Sequence, residues 1–598
     1  MSKLNLIIKK FLVTLAVYVR AIVNVEKIKQ TRLTKKYWIP ALMIIAVLGV
    51  YLSIKTVLGP GMYLDLMDDV YYLYFSHQIT THGFSNSIYA NFLTKYILSG
   101  VQALLFRLFG ISLFTEGLFS MICLIGTIIC IFFIAKILDG TFAGLISACT
   151  FIFVPLIAAE GAASGDNMPV AFFATLAVLL ILLGIRKKQI GYYALSGFIG
   201  LTGILGGSVL NFTVFMFLIP YLTYVFVKNR NKVQLIRSFA FLLGMVLAVA
   251  MIFTLGYLLQ SNAMAYFITH FQNNGRPGTY ISSSTPGIGA FLSLLLPLHD
   301  AYNNVSYPFF WPFVSEFGDF SKFSLNVYPN IIGFFGYAMI ISIVFLVILS
   351  IKQKQYAALI PIAWFLLLSA YMSFGVDSLP FNGYMLFLPR FMIIVIPPLS
   401  IIIGIAISKG LNEIIKHKKG RKSIPLSSKA LLMVIIFGYM LLIANAILLM
   451  GAIHQENGIL TDGWSQISKA IAALPKNATI YIVSGLNKTD VIQPALNPDE
   501  FTSVYQSINT FNFLYWMIIE SYANYKVNVN YSTIFDNCSS LTGNYIIGIY
   551  SVPYDNKVLS CTNLHVVFSP NLSQSETQFG NSYDMNNTNT AVLYKRNP

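Results

Sequence analysis

The stretch GDNMPVAFFATLAVLLILLGIRKK, residues 165–188, decides the fold: an acidic turn, an apolar run from 168 to 185, then three consecutive cations at 186–188. As a helix rising about 1.5 Å per residue, the run covers most of a hydrocarbon layer roughly 30 Å thick. The cations at its end stand where the positive-inside rule places them, on the cytoplasmic side. Outward from this stretch the pattern repeats. Apolar runs predict spans at about 38–58, 113–138, 141–159, 168–185, 191–206, 209–227, 236–260, 330–351, 356–373, 385–408 and 430–452, about eleven in all.

Composition agrees. Of 598 residues 56% are hydrophobic and 10% charged, against roughly 25% charged in an ordinary soluble domain. The net charge of +16 sits in short clusters between apolar runs, so a phosphate-tracking groove has no basic soluble face and nucleic acid is excluded as a partner. Counted from a cytoplasmic start, the basic stretches 186–188, 228–232, 352–354 and 416–422 all fall on the cytoplasmic side. The same count places loops 59–112 and 261–329, and everything after 452, on the exterior. The second half of the first loop, NFLTKYILSGVQALLFRLFG, is amphipathic and suits an interfacial helix.

The predicted fold class is thus mainly α: a polytopic membrane helical bundle of about eleven spans with a small C-terminal extracytoplasmic α/β domain. Residues 1–37 carry nine Lys or Arg against one Glu and are expected to be a cytoplasmic or interfacial basic segment. Residues 38–452 form the transmembrane domain. In residues 453–598, Asn-rich turns separate apolar runs at 478–484, 545–551 and 590–596 that predict strands, and a helix is expected between Gly463 and Pro475. Six Asn-x-Ser/Thr sequons here fit a glycosylated exterior. Cys538 and Cys561 are the only cysteines of this segment and are able to pair in an oxidising compartment. The compartment is a multi-pass cell membrane or endoplasmic reticulum membrane, with the N-terminus cytoplasmic and the C-terminal domain outside.

Chemistry concentrates at the exterior ends of spans. LDLMDDVYYLYFSH, residues 64–77, sets Asp65, Asp68 and Asp69 just beyond the first span, flanked by Tyr71 and Tyr72, whose rings can stack on a substrate. Clustered carboxylates repel, which raises a pKa unless a cation or hydrogen bonds intervene. A second acidic turn, EGAASGDNMPV at 160–170, carries Glu160 and Asp166 on the same side. Asp68, Asp69 and Asp166 can hold Mg²⁺ or Mn²⁺ through oxygen ligands; no His or Cys spacing suggests zinc. Each acid also has a plainer reading as a solvated cap, Asp166 as the N-cap of the helix entering at Pro169.

In order, Asp68-Asp69 with Tyr71 and Tyr72, RLFGISLF at 107–114, GDNMPVAFFATLAVLL at 165–180 and LPRFMIIVIPPLSIIIG at 388–404 resemble the protein O-mannosyltransferase and aminoarabinose-transferase group. These are GT-C class glycosyltransferases dependent on polyprenyl-phosphate sugars, and the likeness covers about residues 38–452. It implies Asp68 as catalytic base, taking the proton of an acceptor hydroxyl as that oxygen attacks the anomeric carbon and the lipid phosphate departs with inversion. It implies Asp69 beside it, Asp166 as active-site support, and Arg390 as a bidentate contact to the donor phosphate. Tyr71, Tyr72 and Glu160 are candidate substrate contacts. The chain departs from the group in lacking a basic residue over 203–215 and in having Glu116 where an Arg is common, so Arg276 and His270 of the 261–329 loop are the candidates to compensate. The implied partners are a polyprenyl- or dolichyl-phosphate sugar donor and a glycan, lipid or protein acceptor. An oligosaccharyltransferase-like enzyme is the neighbouring alternative, although its Trp-Trp-Asp motif is absent. A polytopic transporter is the alternative from another class, disfavoured because span interiors are nearly free of charge.

Overall fold

The computed structural model describes residues 35–57, 73, 76, 79–80, 96–258 apart from 112, 164, 166, 207–211 and 230–231, then 334–374 apart from 355, 393–416, 433–451 apart from 449, residues 470 and 473–474, and five strand segments between 480 and 596. Described helices are α1 (Lys35–Val57), α2 (Tyr96–Phe109), α3 (Leu118–Asp139), α4 (Thr141–Ile152), α5 (Pro155–Glu160), α6 (Asn167–Lys187), α7 (Ile190–Gly206), α8 (Phe212–Asn229) and α9 (Lys232–Leu258). They continue with α10 (Phe334–Gln353), α11 (Ile360–Phe374), α12 (Ile396–Lys416) and α13 (Met433–Leu448). Every predicted apolar run carries helix where it is described, with breaks at Gly117, at Phe153 and Val154, and at Val395. Five of these helices, α1, α3, α6, α9 and α10, are long and apolar enough to cross a membrane.

Where helices break, the cause is local. Gly140 alone separates α3 from α4 and has φ 107°, a left-handed conformation that costs glycine nothing and other residues dearly. The run expected as one span at 141–159 is divided: α4 ends at Ile152, and Pro155 opens α5. Proline has no N–H to continue the ladder and its ring crowds the carbonyl four residues back, whereas at the first position of a new helix neither fault matters. The run expected at 113–138 begins its long helix only at Leu118, after a single turn at Leu113–Glu116.

Helix α12 packs against α3, α4, α10 and α11. Ile393, Val395, Ile396, Leu399, Ile401, Ile402 and Ile405 are all completely buried, so this segment is enclosed by protein on every side. It was expected to end near 408 but continues to Lys416. The added turns are polar and are held by neighbours: Lys409 pairs with Asp139 at 3.3 Å, and Gln353 Nε2 donates to Glu413 at 2.9 Å. Residues 385–392 of the expected span lie outside the described residues.

The C-terminal segment holds a five-stranded mixed sheet, β1 (Ile480–Ser484), β2 (Val529–Tyr531), β3 (Tyr545–Tyr550), β4 (Leu564–Phe568) and β5 (Thr590–Arg596), ordered β2-β1-β3-β5-β4. β1 runs parallel to both β2 and β3, while β5 is antiparallel to β3 and β4. Parallel neighbours need long crossovers, and the chain supplies them at 485–528 and 532–544, which lie outside the described residues, as does nearly all of the helix expected at 463–475. Three strands stand on the expected runs. β2 and β4 are additional; β2 is three residues long and β4 carries an irregularity between Val566 and Phe568.

Candidate active site

The second acidic turn is where described geometry gathers. α5 ends at Glu160 and α6 begins at Asn167; the turn between them is fastened to two other helices. Ser53, one turn from the end of α1, donates to the carbonyl of Ile157 at 3.3 Å. A Cβ added to Gly161 would collide with the Ser53 hydroxyl, and one added to Gly117 would collide with the Ala162 carbonyl. The backbone therefore approaches this closely only because both positions are glycine. Ser120 Oγ lies 3.5 Å from the Gly165 carbonyl it donates to. The turn is thereby held between the end of α1 and the start of α3.

Within the turn, Asn167 Nδ2 donates to Glu160 Oε2 at 3.1 Å, with Glu160 6% and Asn167 4% exposed. A carboxylate removed from water needs hydrogen bonds to remain tolerable, and this bond closes the ends of the turn on one another. A second carboxylate, Glu116, is 1% exposed immediately before Gly117. Gln102 on α2 donates to the Thr115 carbonyl at 2.6 Å, which ties the amphipathic helix to the same corner.

The acidic loop after α1 returns to this corner. Leu73, Ser76 and Ile79 are helical and buried at a spacing of three, one face of a helix. Thr80 Oγ1 donates to the Ser76 carbonyl at 2.6 Å and is 3.3 Å from the Ala103 carbonyl of α2. Arg107 on α2 donates to the carbonyls of Ile79 and Thr80 at 3.4 and 3.3 Å. The chain on both sides of Asp68 and Asp69 is thus anchored: α1 before them at the turn, and Ile79 and Thr80 after them on α2.

Of the expected site residues, Glu160 alone is described, and it faces inward to Asn167. Asp65, Asp68, Asp69, Tyr71, Tyr72, Asp166, Arg276, His270 and Arg390 lie outside the described residues, as do Cys538 and Cys561. Among the described residues no group of three His, Cys, Asp or Glu side chains is placed to hold a metal ion; the three Asp expected to be able to hold Mg²⁺ or Mn²⁺ are not among them. The sequence did not single out Ser53, Gly117, Gly161 or Asn167. Their signal was present only as small residues at helix ends, which periodicity does not distinguish from ordinary turns.

Residues 96–257, from α2 to α9, match the family model described as dolichyl-phosphate-mannose-protein mannosyltransferase. Among solved structures, ArnT from Cupriavidus metallidurans in the apo state aligns with a TM-score of 0.51 at 14% identity, over 93% of this chain and 97% of that one. The same ArnT bound to undecaprenyl phosphate aligns with a TM-score of 0.48 at 13% identity, over 93% and 97%. The apo oligosaccharyltransferase of Archaeoglobus fulgidus gives 0.48 at 13%, over 87% and 70%. No curated protein matches the sequence. With the mannosyltransferase signature running from α2 to α9 and the fold of ArnT over nearly the whole chain, this protein resembles the GT-C class of membrane glycosyltransferases that use polyprenyl-phosphate sugars.

Proposed function

We propose that this chain transfers a sugar from a polyprenyl- or dolichyl-phosphate donor to an acceptor hydroxyl, with inversion, on the exterior face of the membrane, and that Asp68 is the general base. The observation that carries the reading is the pinned corner. The chain leaving α1 toward Asp68 and the turn bearing Asp166 are fixed to one another through Ser53, Ile157 and Gly161, so two acidic segments far apart in sequence leave the bundle at one place.

In this reading Asp68 accepts the proton of the attacking hydroxyl as the new glycosidic bond forms and the C–O bond to the lipid phosphate breaks. The phosphate leaves as a dianion beside Arg390, and Asp69 and Asp166 orient the base and acceptor. Arg276 and His270 are the remaining candidate phosphate and substrate contacts. The eleven helical runs all span, the basic stretches face the cytoplasm, and the sheet belongs to an exterior α/β domain. ArnT from Cupriavidus metallidurans binds undecaprenyl phosphate in its complex, and a lipid phosphate of that class is the carrier in the donor proposed for this chain.

The test is transfer of radiolabelled sugar from synthetic polyprenyl phosphate in liposomes. Asp68→Asn is nearly isosteric, so donor binding should persist while turnover falls by roughly 10²- to 10⁴-fold, the usual contribution of a general base. Asp65→Asn should be mild. Transfer by Asp68→Asn near the wild-type rate would remove Asp68 from the mechanism.

A further inference from the structure

Arg107 stands in the last turn of α2 beside Leu104 and Leu108, both exposed. An arginine on an exposed, apolar helix edge ordinarily extends its guanidinium toward water while its stem covers apolar surface. Here Nη2 instead donates to two successive carbonyls, Ile79 at 3.4 Å and Thr80 at 3.3 Å. That nitrogen carries two protons, one for each acceptor, and the planar guanidinium fixes their directions.

Each of these bonds is long for an N–H···O contact, so neither is strong alone. A third runs the other way: Thr80 Oγ1, bonded to the Ser76 carbonyl at 2.6 Å, is also 3.3 Å from the Ala103 carbonyl of α2. Leu73, Ser76 and Ile79 are buried, so the segment that Arg107 grips is packed as well as hydrogen-bonded. Leu73 follows Asp69 by four residues, a reach of at most about 14 Å of chain. Elsewhere on α2, Gln102 donates to the Thr115 carbonyl at 2.6 Å, two residues before Gly117, which lies against the Ala162 carbonyl. α2 thus bridges the segment that follows Asp68 and the corner at the 160–167 turn, by a route separate from Ser53 of α1.

From this bridge we propose that Arg107 is a positioning residue for the reaction: by holding Ile79 and Thr80 on α2 it limits where the chain upstream, Asp68 included, stands relative to the 160–167 turn. The inference rests on the assignment of Asp68 as general base. Arg107 touches no reacting atom and acts through the backbone it holds. Because it is exposed, its loss leaves no charge buried, and water can meet the carbonyls it releases. The fold should therefore survive its removal while the acidic segment gains freedom.

The test is the liposome transfer assay on the full chain, read as kcat and donor KM, with the melting midpoint of each variant in detergent. Arg107→Gln should lower kcat by roughly ten- to a hundredfold, the scale on which a displacement of about 1 Å acts, with donor KM and melting midpoint unchanged. Arg107→Lys, which keeps a charged donor but loses the fork, should recover part of the loss, and it carries the same comparisons if Arg107→Gln does not insert. In an Asp68→Asn background no base is left to place, so Arg107→Gln should cost nothing further, whereas independent effects would multiply. Arg107 is not a positioning residue if its loss leaves kcat at the wild-type value, lowers kcat only in step with the melting midpoint, or multiplies the Asp68→Asn loss. A wild-type rate for Asp68→Asn alone overturns the catalytic reading itself, and this inference with it, so the two failures are told apart.

Discussion

At the residue scale, the Glu160–Asn167 bond is the feature with the most direct consequence. Both side chains are buried, so losing the donor leaves a carboxylate with one fewer hydrogen bond where water cannot replace it, at a cost of about 1–3 kcal/mol. Asn167→Ala should therefore lower the thermal midpoint of the detergent-solubilised protein and, because the bond closes the turn that bears Asp166, reduce kcat more than it raises the donor KM. Asn167→Asp sets a second carboxylate against the first and should be worse. Equal kcat for wild type and Asn167→Ala would leave the pair a purely structural clasp. The sequence showed Glu160 and Asp166 as acids bracketing an exterior turn. It did not show that Glu160 looks back into the protein, because a Gly-rich turn has no periodicity from which a side chain's direction can be read. The residues expected to do the chemistry share that difficulty. Their roles came from motif order and resemblance, whereas the small residues that pin the corner, Ser53, Gly117 and Gly161, carry no motif.

At the element scale, helix positions were legible and helix contacts were not. A long apolar run declares a helix because backbone groups in hydrocarbon have no other partners, and the eleven runs gave that much. Breaks were less legible: Gly140 and Pro155 act within runs that hydropathy alone joins, and the turns of α12 after 408 depend on Asp139 and Gln353 from other helices. The crossing of α7 with α9 is a further example. A Cβ on Gly197 would strike the Phe241 carbonyl and one on Gly244 would strike the Ala194 carbonyl, so the two backbones touch through a pair of reciprocal glycines, the packing that small residues permit between membrane helices. Gly244→Ala should lower stability by about 1–3 kcal/mol, as overpacking does, read as a lower melting midpoint. Gly191→Ala, in the same α7 helix but with open space around it, should be neutral or slightly stabilising because alanine is the better helix former. If both variants melt together, the close crossing does not carry the bundle.

At the scale of the whole molecule, the described contacts set the helices end to end in a consistent sense. Trp38 near the start of α1 lies under Lys136 near the end of α3, with Nζ 3.9 Å from the ring centroid, while Ser53 near the other end of α1 meets the turn that opens α6. Lys35, Lys136 and Lys187 therefore share one end of the bundle, and Glu116, Glu160 and Asn167 the other. Arg237 contacts Lys188, which puts the start of α9, and with it Asn229 at the end of α8, on the Lys187 side. The positive-inside rule predicts that side to be the cytoplasmic one. Cysteine labelling with a membrane-impermeant maleimide can test this on intact cells, and the chain suits the method. Cys123 and Cys130 are buried in α3 and Cys149 is half-buried in α4, so they contribute little background once Cys538 and Cys561 are replaced by serine. In that background Asn229→Cys should stay unlabelled until the cells are permeabilised, while Ser87→Cys, in the loop expected outside, and Ser465→Cys, in the C-terminal segment, should label at once. The reverse pattern would turn the bundle over, placing the 160–167 turn in the cytoplasm and Arg237 outside. The proposed catalytic corner would then face cytoplasmic acceptors.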